Sequence, residues 1–137
     1  MALPPMAAQR QALVTVTGIA DRWSKINAIS KKADGTKVFD GGSLTPEILT
    51  APAQVDDVQV SRPFRPARDA ALLAKLFKQV GNWYTSVHIS WTDANLVPVG
   101  SPTTVTGWLT AVDTPEVDAG SGEAAMLQLT FSIDNAA

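Results

Sequence analysis

Cysteine is absent from this chain of 137 residues, which excludes disulfide staples, thiolate metal sites and a cysteine nucleophile. No apolar run reaches the ~18 residues that a membrane-spanning helix requires. The opening stretch, Met1 to Arg10, lacks the basic start and long apolar core of a signal peptide, so synthesis and assembly in the cytoplasm are expected. Charge is sparse as well. Asp, Glu, Lys and Arg make up 18% of the chain, below the roughly one quarter of an ordinary globular protein. A surface with so few charges points to partial coverage by neighbouring chains.

Eleven basic residues stand against thirteen acidic ones, for a formal net charge of −2. A protein that grips nucleic acid through phosphates needs a clustered positive excess. Here the one group of arginines is Arg62, Arg65 and Arg68, which reads as charge flanking a helix. Histidine occurs once, as His88, in a strand-like run between Ser86 and Ser90. Strand geometry holds those serines apart from it, and no Gly-x-Ser-x-Gly elbow is present, so a hydrolytic triad is not expected. The adjacent Asp56 and Asp57 point to opposite faces of a strand and form no acid–base pair. Asp113, Glu116 and Asp118 could offer oxygen ligands to calcium, yet their spacing matches no established loop. Gly41-Gly42 lacks the Lys-Ser/Thr or helix start of a phosphate cradle.

What the chain does have is alternation. Trp83, Val87, Ile89 and Trp91 alternate with Tyr84, Ser86, His88 and Ser90, as in a half-buried antiparallel strand. Ala125, Leu127, Leu129, Phe131 and Ile133 repeat the pattern against Gln128, Thr130 and Ser132. Thr103 to Val112, rich in Thr and Val, reads as a strand between them. Asp93-Ala-Asn95 marks a tight turn, and Asp113 to Gly122 a longer polar connection kept out of the ladder by Pro115, Gly120 and Gly122. Residues 82–134 thus form a β-meander. Trp23, Trp83, Trp91 and Trp108 all sit in strands, and core packing is expected of them rather than stacking on sugars or bases.

Leu13 to Ile19, Arg22 to Ile29 and Val55 to Val60 look extended. The span 31–54, with Asp34-Gly35, Gly41-Gly42, Pro46 and Pro52, reads as a long loop, and loops of that length usually carry function. One helix is predicted over 66–80, with Leu72, Leu73, Leu76, Phe77 and Val80 on one stripe, Pro66 in the first turn and Gly81 as the stop. There are no internal repeats. The fold class that follows is mainly β (α+β): an antiparallel β-sandwich or barrel with one flanking α-helix, in a single domain over 1–137, with an N-terminal arm at 1–12.

The order of these parts resembles the phage tail tube protein family. That family is related in fold to the inner tubes of contractile injection systems and to the haemolysin-coregulated protein of type VI secretion. Ile19-Ala-Asp-Arg-Trp-Ser-Lys-Ile26 looks like its first core strand, and Val58-Gln-Val-Ser-Arg62 followed by Asp69 to Phe77 like its strand leading into the helix. Val87 to Val99 resembles the next hairpin, and Trp108 to Pro115 with Ala125 to Ile133 the last strand pair. The resemblance covers roughly residues 13 to 134. It implies a structural subunit with no catalysis and no cofactor. Six copies would form a ring, and stacked rings a hollow conduit for DNA in the virion tail. The implied partners are further copies of itself, tape-measure, terminator and baseplate or tip proteins, a sheath in contractile tails, and DNA in transit; membrane insertion is not implied. Contacts between subunits are expected at Lys31, Lys32, Phe39, Gly41, Gly42, Leu44, Ile48, Leu49, Arg62 and Arg65, with the loop 31–54 and the N-terminal arm joining successive rings. Two other readings stand beside this one: the inner tube of a contractile injection particle, and a monomeric β-sandwich binding module.

Overall fold

A computed structural model describes residues 3–42 and 44–136; Met1 and Ala2 of the expected N-terminal arm, Ser43 of the expected long loop and Ala137 lie outside the described residues. The strands, in chain order, are β1 (Ala12–Val16), β2 (Lys25–Ile26), β3 (Lys31–Lys32), β4 (Gly35–Val38), β5 (Glu47–Thr50), β6 (Gln54–Val55), β7 (Val58–Pro63), β8 (Tyr84–Trp91), β9 (Thr103–Asp113) and β10 (Met126–Ala136). A helix, α1 (Pro66–Gln79), joins β7 to β8.

Six strands form one antiparallel sheet in the order β1-β8-β9-β10-β7-β2. Its two edges meet through a single bridge, in which Trp23 N–H donates to Val14 O at 2.8 Å. That contact curls the sheet into a nearly closed barrel. Alternation then decides what fills it. Val58 and Val60 on β7, Val87 and Ile89 on β8, Val105 and Leu109 on β9, and Leu127, Leu129 and Phe131 on β10 all turn inward and are buried. At β9 and β10 the two backbones approach so closely that a Cβ on Gly107 would fall on the Ser132 carbonyl. Register shifts interrupt this ladder on either side of Ser132, between Thr130 and Phe131 and between Ile133 and Asn135.

The helix begins with Pro66, whose missing N–H costs nothing in the first turn. Arg65 is the N-cap and makes no side-chain cap bond. Asp69 serves instead, reaching back to accept from Arg65 N–H at 3.0 Å. Gly81, at φ 82°, ends the helix in the left-handed conformation and donates its N–H to Leu109 O at 2.8 Å, which ties that end to β9. The apolar stripe is only partly used. Leu76 is buried and Leu72 and Leu73 half-buried, while Phe77 and Val80 stay exposed along one edge.

Two expectations change. The span 31–54 is not an irregular loop: β3 pairs with β6 at its base and β4 with β5 beyond, making an arm that projects from the barrel. Both faces of this ribbon meet solvent, so its residues carry no inward–outward alternation to announce strands. Nor do all four tryptophans enter the core. Trp23 is buried and Trp83 half-buried against Phe131 at 6.4 Å, but Trp91 and Trp108 are 42% and 46% exposed. On β9 the inward set is Val105, Gly107 and Leu109, which forces Trp108 onto the outer face. Trp91 has inward parity but ends its strand, where its Nε1 donates to Thr103 Oγ1 at 3.1 Å.

Candidate assembly surfaces

Where β7 meets α1, charge is used internally. Alternation sends Arg62 inward after Val58 and Val60, and there it meets Asp69 at 2.7 Å; both side chains are essentially inaccessible. The guanidinium also donates to Ala20 O at 2.7 Å and lies 4.4 Å over the Trp23 ring. Arg68 grips Asp69 from the other side at 2.9 Å and reaches Asp21 at 3.1 Å. Burial pushes the Asp69 carboxyl up. Hydrogen bonds from Arg68 and Arg65 N–H, with the charges of Arg62 and Arg68, outweigh that and hold it down at about 2. Burial lowers the Arg62 pKa, against the pull of Asp69. The expectation that Arg62 contacts another subunit is therefore corrected: it is a buried clamp joining strand, helix and the turn before β2. Arg65 remains exposed, and no ion pair holds it among the described residues.

The other expected contact residues lie on the arm. Lys31 and Lys32 form β3 at its base, exposed, with Lys32 paired to Asp56 at 3.3 Å. Gly41 and Gly42 sit at its tip. Phe39, Leu44, Ile48 and Leu49 are 59%, 97%, 62% and 61% exposed. Every residue of β4 and β5 is exposed. An isolated two-stranded ribbon is marginal in water, and this one carries apolar side chains on both faces. The N-terminal segment is similar: Leu3 and Met6 are exposed above 90%, and the chain enters the fold only after Gln11 N–H donates to Ala8 O at 2.9 Å.

The outer face of the barrel is polar and nearly without charge. Ser86 and Ser90 on β8, Thr104, Thr106 and Thr110 on β9, and Thr130 and Ser132 on β10 share it. His88 stands among them with both ring nitrogens engaged by threonine hydroxyls, Thr17 at 3.1 Å and Thr104 at 3.0 Å. Among the described residues, no serine or carboxylate hydrogen-bonds it as a triad would demand. Asp118, in the polar connection, accepts from Gly120 N–H at 3.0 Å, and no group of three or more His, Asp or Glu is placed to hold a metal among the described residues. The exposed aromatic pair on this face, Tyr84 and Trp108, was not singled out by sequence reasoning. Their placement follows from the register of β8 on β9, which pairs Tyr84 with Trp108.

This arrangement, a nearly closed antiparallel barrel with one helix across it and a projecting arm, is a tail-tube-like fold. Among solved structures it is similar to a chain in the anti-feeding prophage cap, the tube-terminating cap, with a TM-score of 0.81 at 17% identity, covering 100% of this chain and 93% of that one. It is also similar to a chain of the PVC sheath/tube terminator, from an extracellular contractile injection system in the extended state. There the TM-score is 0.79 at 15% identity, over 99% and 98% of the two chains. The PVC sheath–tube complex gives 0.76 at 15% identity, over 96% and 90%. No protein-family model and no curated protein matches the chain.

Proposed function

We propose that this chain is a structural, non-catalytic subunit of a tail-type tube, in which six copies close into a ring and rings stack into a hollow conduit. The observation that carries the reading is the arm: a β-ribbon with Phe39, Leu44, Ile48 and Leu49 in solvent, on a barrel whose own core is complete without it. An arm at one end of a barrel that docks on the next copy makes a head-to-tail contact, and such contacts do not close but propagate. The seam between β1 and β2, bridged once, offers strand edges for lateral joining within a ring.

The conduit reading also suits the charge. With Arg62 and Arg68 neutralised by Asp69 and Asp21, no arginine patch remains among the described residues to hold phosphates, which suits a conduit for sliding cargo. A virion tail that passes DNA and the inner tube of a contractile injection particle both fit this reading, and the similar chains come from sheath–tube, cap and terminator complexes. In either particle the partners are terminator and baseplate or tip proteins, with a sheath where the particle is contractile. The contact set reduces to Lys31, Lys32, Phe39, Gly41, Gly42, Leu44, Ile48, Leu49 and Arg65.

Analytical ultracentrifugation tests this. The wild-type chain should sediment as rings and longer polymers with rising concentration. A Phe39→Ser, Ile48→Ser, Leu49→Ser variant should remain a folded single copy or single ring. A variant that polymerises like the wild type would remove the arm from the account.

A further inference from the structure

On the outer face, Tyr84 and Trp108 form an edge-to-face pair with centroids 5.2 Å apart, and each residue is 46% exposed. Beside them lies Asp134. It accepts from Tyr84 Oη at 3.0 Å and from Thr106 Oγ1 at 3.3 Å, and no basic group lies within ion-pair distance of it among the described residues. Two open aromatic rings around a carboxylate held only by hydroxyls make a receptor for a cationic side chain: the rings attract the cation through their faces and the carboxylate supplies the countercharge.

The arm carries the complement. Lys37 on β4 is exposed and unpaired with any acid among the described residues. Its cross-strand partner is Ile48, so a cation and an apolar side chain share one face of the ribbon. Glu47 lies opposite Val38, on the other face. From Lys32 to Gly41 the chain reaches roughly 30 Å at the ~3.3 Å rise of a strand, enough to lie across a neighbouring barrel. We infer that the Lys37–Ile48 face of one copy's arm seats on the Tyr84–Trp108–Asp134 cluster of a second copy, with the Lys37 ammonium over the rings and against Asp134. This rests on the proposed assembly and specifies its acceptor.

A charge exchange tests it. Lys37→Glu and Asp134→Lys should each raise the concentration needed for polymers at least about tenfold, the equilibrium change expected when a desolvated charge pair becomes a like-charge clash. The double variant should recover most of that loss. Asp134→Asn, which keeps an acceptor for Tyr84 and Thr106, should weaken assembly and flatten its salt dependence. Circular dichroism on each variant confirms the fold. Single variants that assemble like the wild type, or a double variant no better than the worse single, would overturn the pairing while the tube reading stands. A wild-type chain that stays monomeric at every concentration would overturn both.

Discussion

Replacing Asp69 with asparagine leaves a buried guanidinium without its countercharge, and the cost can be worked from the geometry. Asp69 is 0% and Arg62 1% exposed. The carboxylate takes hydrogen bonds from Arg62 Nη2, Arg68 Nε, Arg68 Nη2 and Arg65 N–H, at 2.7 to 3.0 Å. An asparagine amide offers one oxygen to these donors and turns its own N–H groups toward cations. Breaking a buried pair from one side costs about 3–5 kcal/mol, because the remaining charge stays desolvated. With a urea slope of ~2 kcal/mol per molar, the midpoint should fall by about 1.5–2.5 M. Removing both charges, as Arg62→Met with Asp69→Leu, should cost much less, since apolar side chains of similar size suit the barrel interior. Urea titrations followed by circular dichroism read both. An Asp69→Asn midpoint within ~0.5 M of wild type, or a double variant as unstable as the single, would refute the clamp.

The same carboxyl predicts an acid limb. Its folded pKa, about 2, lies below the ordinary 3.8, so its contribution is complete above pH 3.8 and is lost as pH falls toward 2. That shift corresponds to about 2 kcal/mol. Asp69→Asn should flatten the stability profile across that window, and an unchanged slope in acid denaturation would contradict it. Gly107→Ala should destabilise by about 2 kcal/mol or more, because the new Cβ meets Ser132 O and lies 2.8 Å from Ile133 Cα; thermal melting checks this. Phe131→Ala, at a wholly buried site in the barrel, should cost about 3–5 kcal/mol in urea titration.

How far the sequence showed all this depends on where each residue's environment lies. Val87 and Ile89, or Leu127, Leu129 and Phe131, alternate because one side of their strand is interior, so their strands are legible from the pattern alone. The arm has no interior on either side. Thr36, Lys37 and Val38 and their partners alternate with nothing, and pairing had to come from the structure. Arg62 misled because charge suggests surface. Its parity with Val58 and Val60, seven residues before an acid in the first helical turn, was the available signal. Trp108 misled for the opposite reason: size and apolarity suggest core, but Val105 and Leu109 hold the inward register. Neither the Tyr84–Trp108 pair nor Asp134 beside it could be found without knowing which residues of β8, β9 and β10 stand opposite one another.

On the proposed function, copies of this chain build a hollow tube. Negative-stain electron microscopy of the purified chain, across rising concentration, tests it most directly. The account predicts rings with six-fold end views that lengthen into tubes. A chain that remains monomeric at every concentration, with no ring or filament after long incubation, would contradict it.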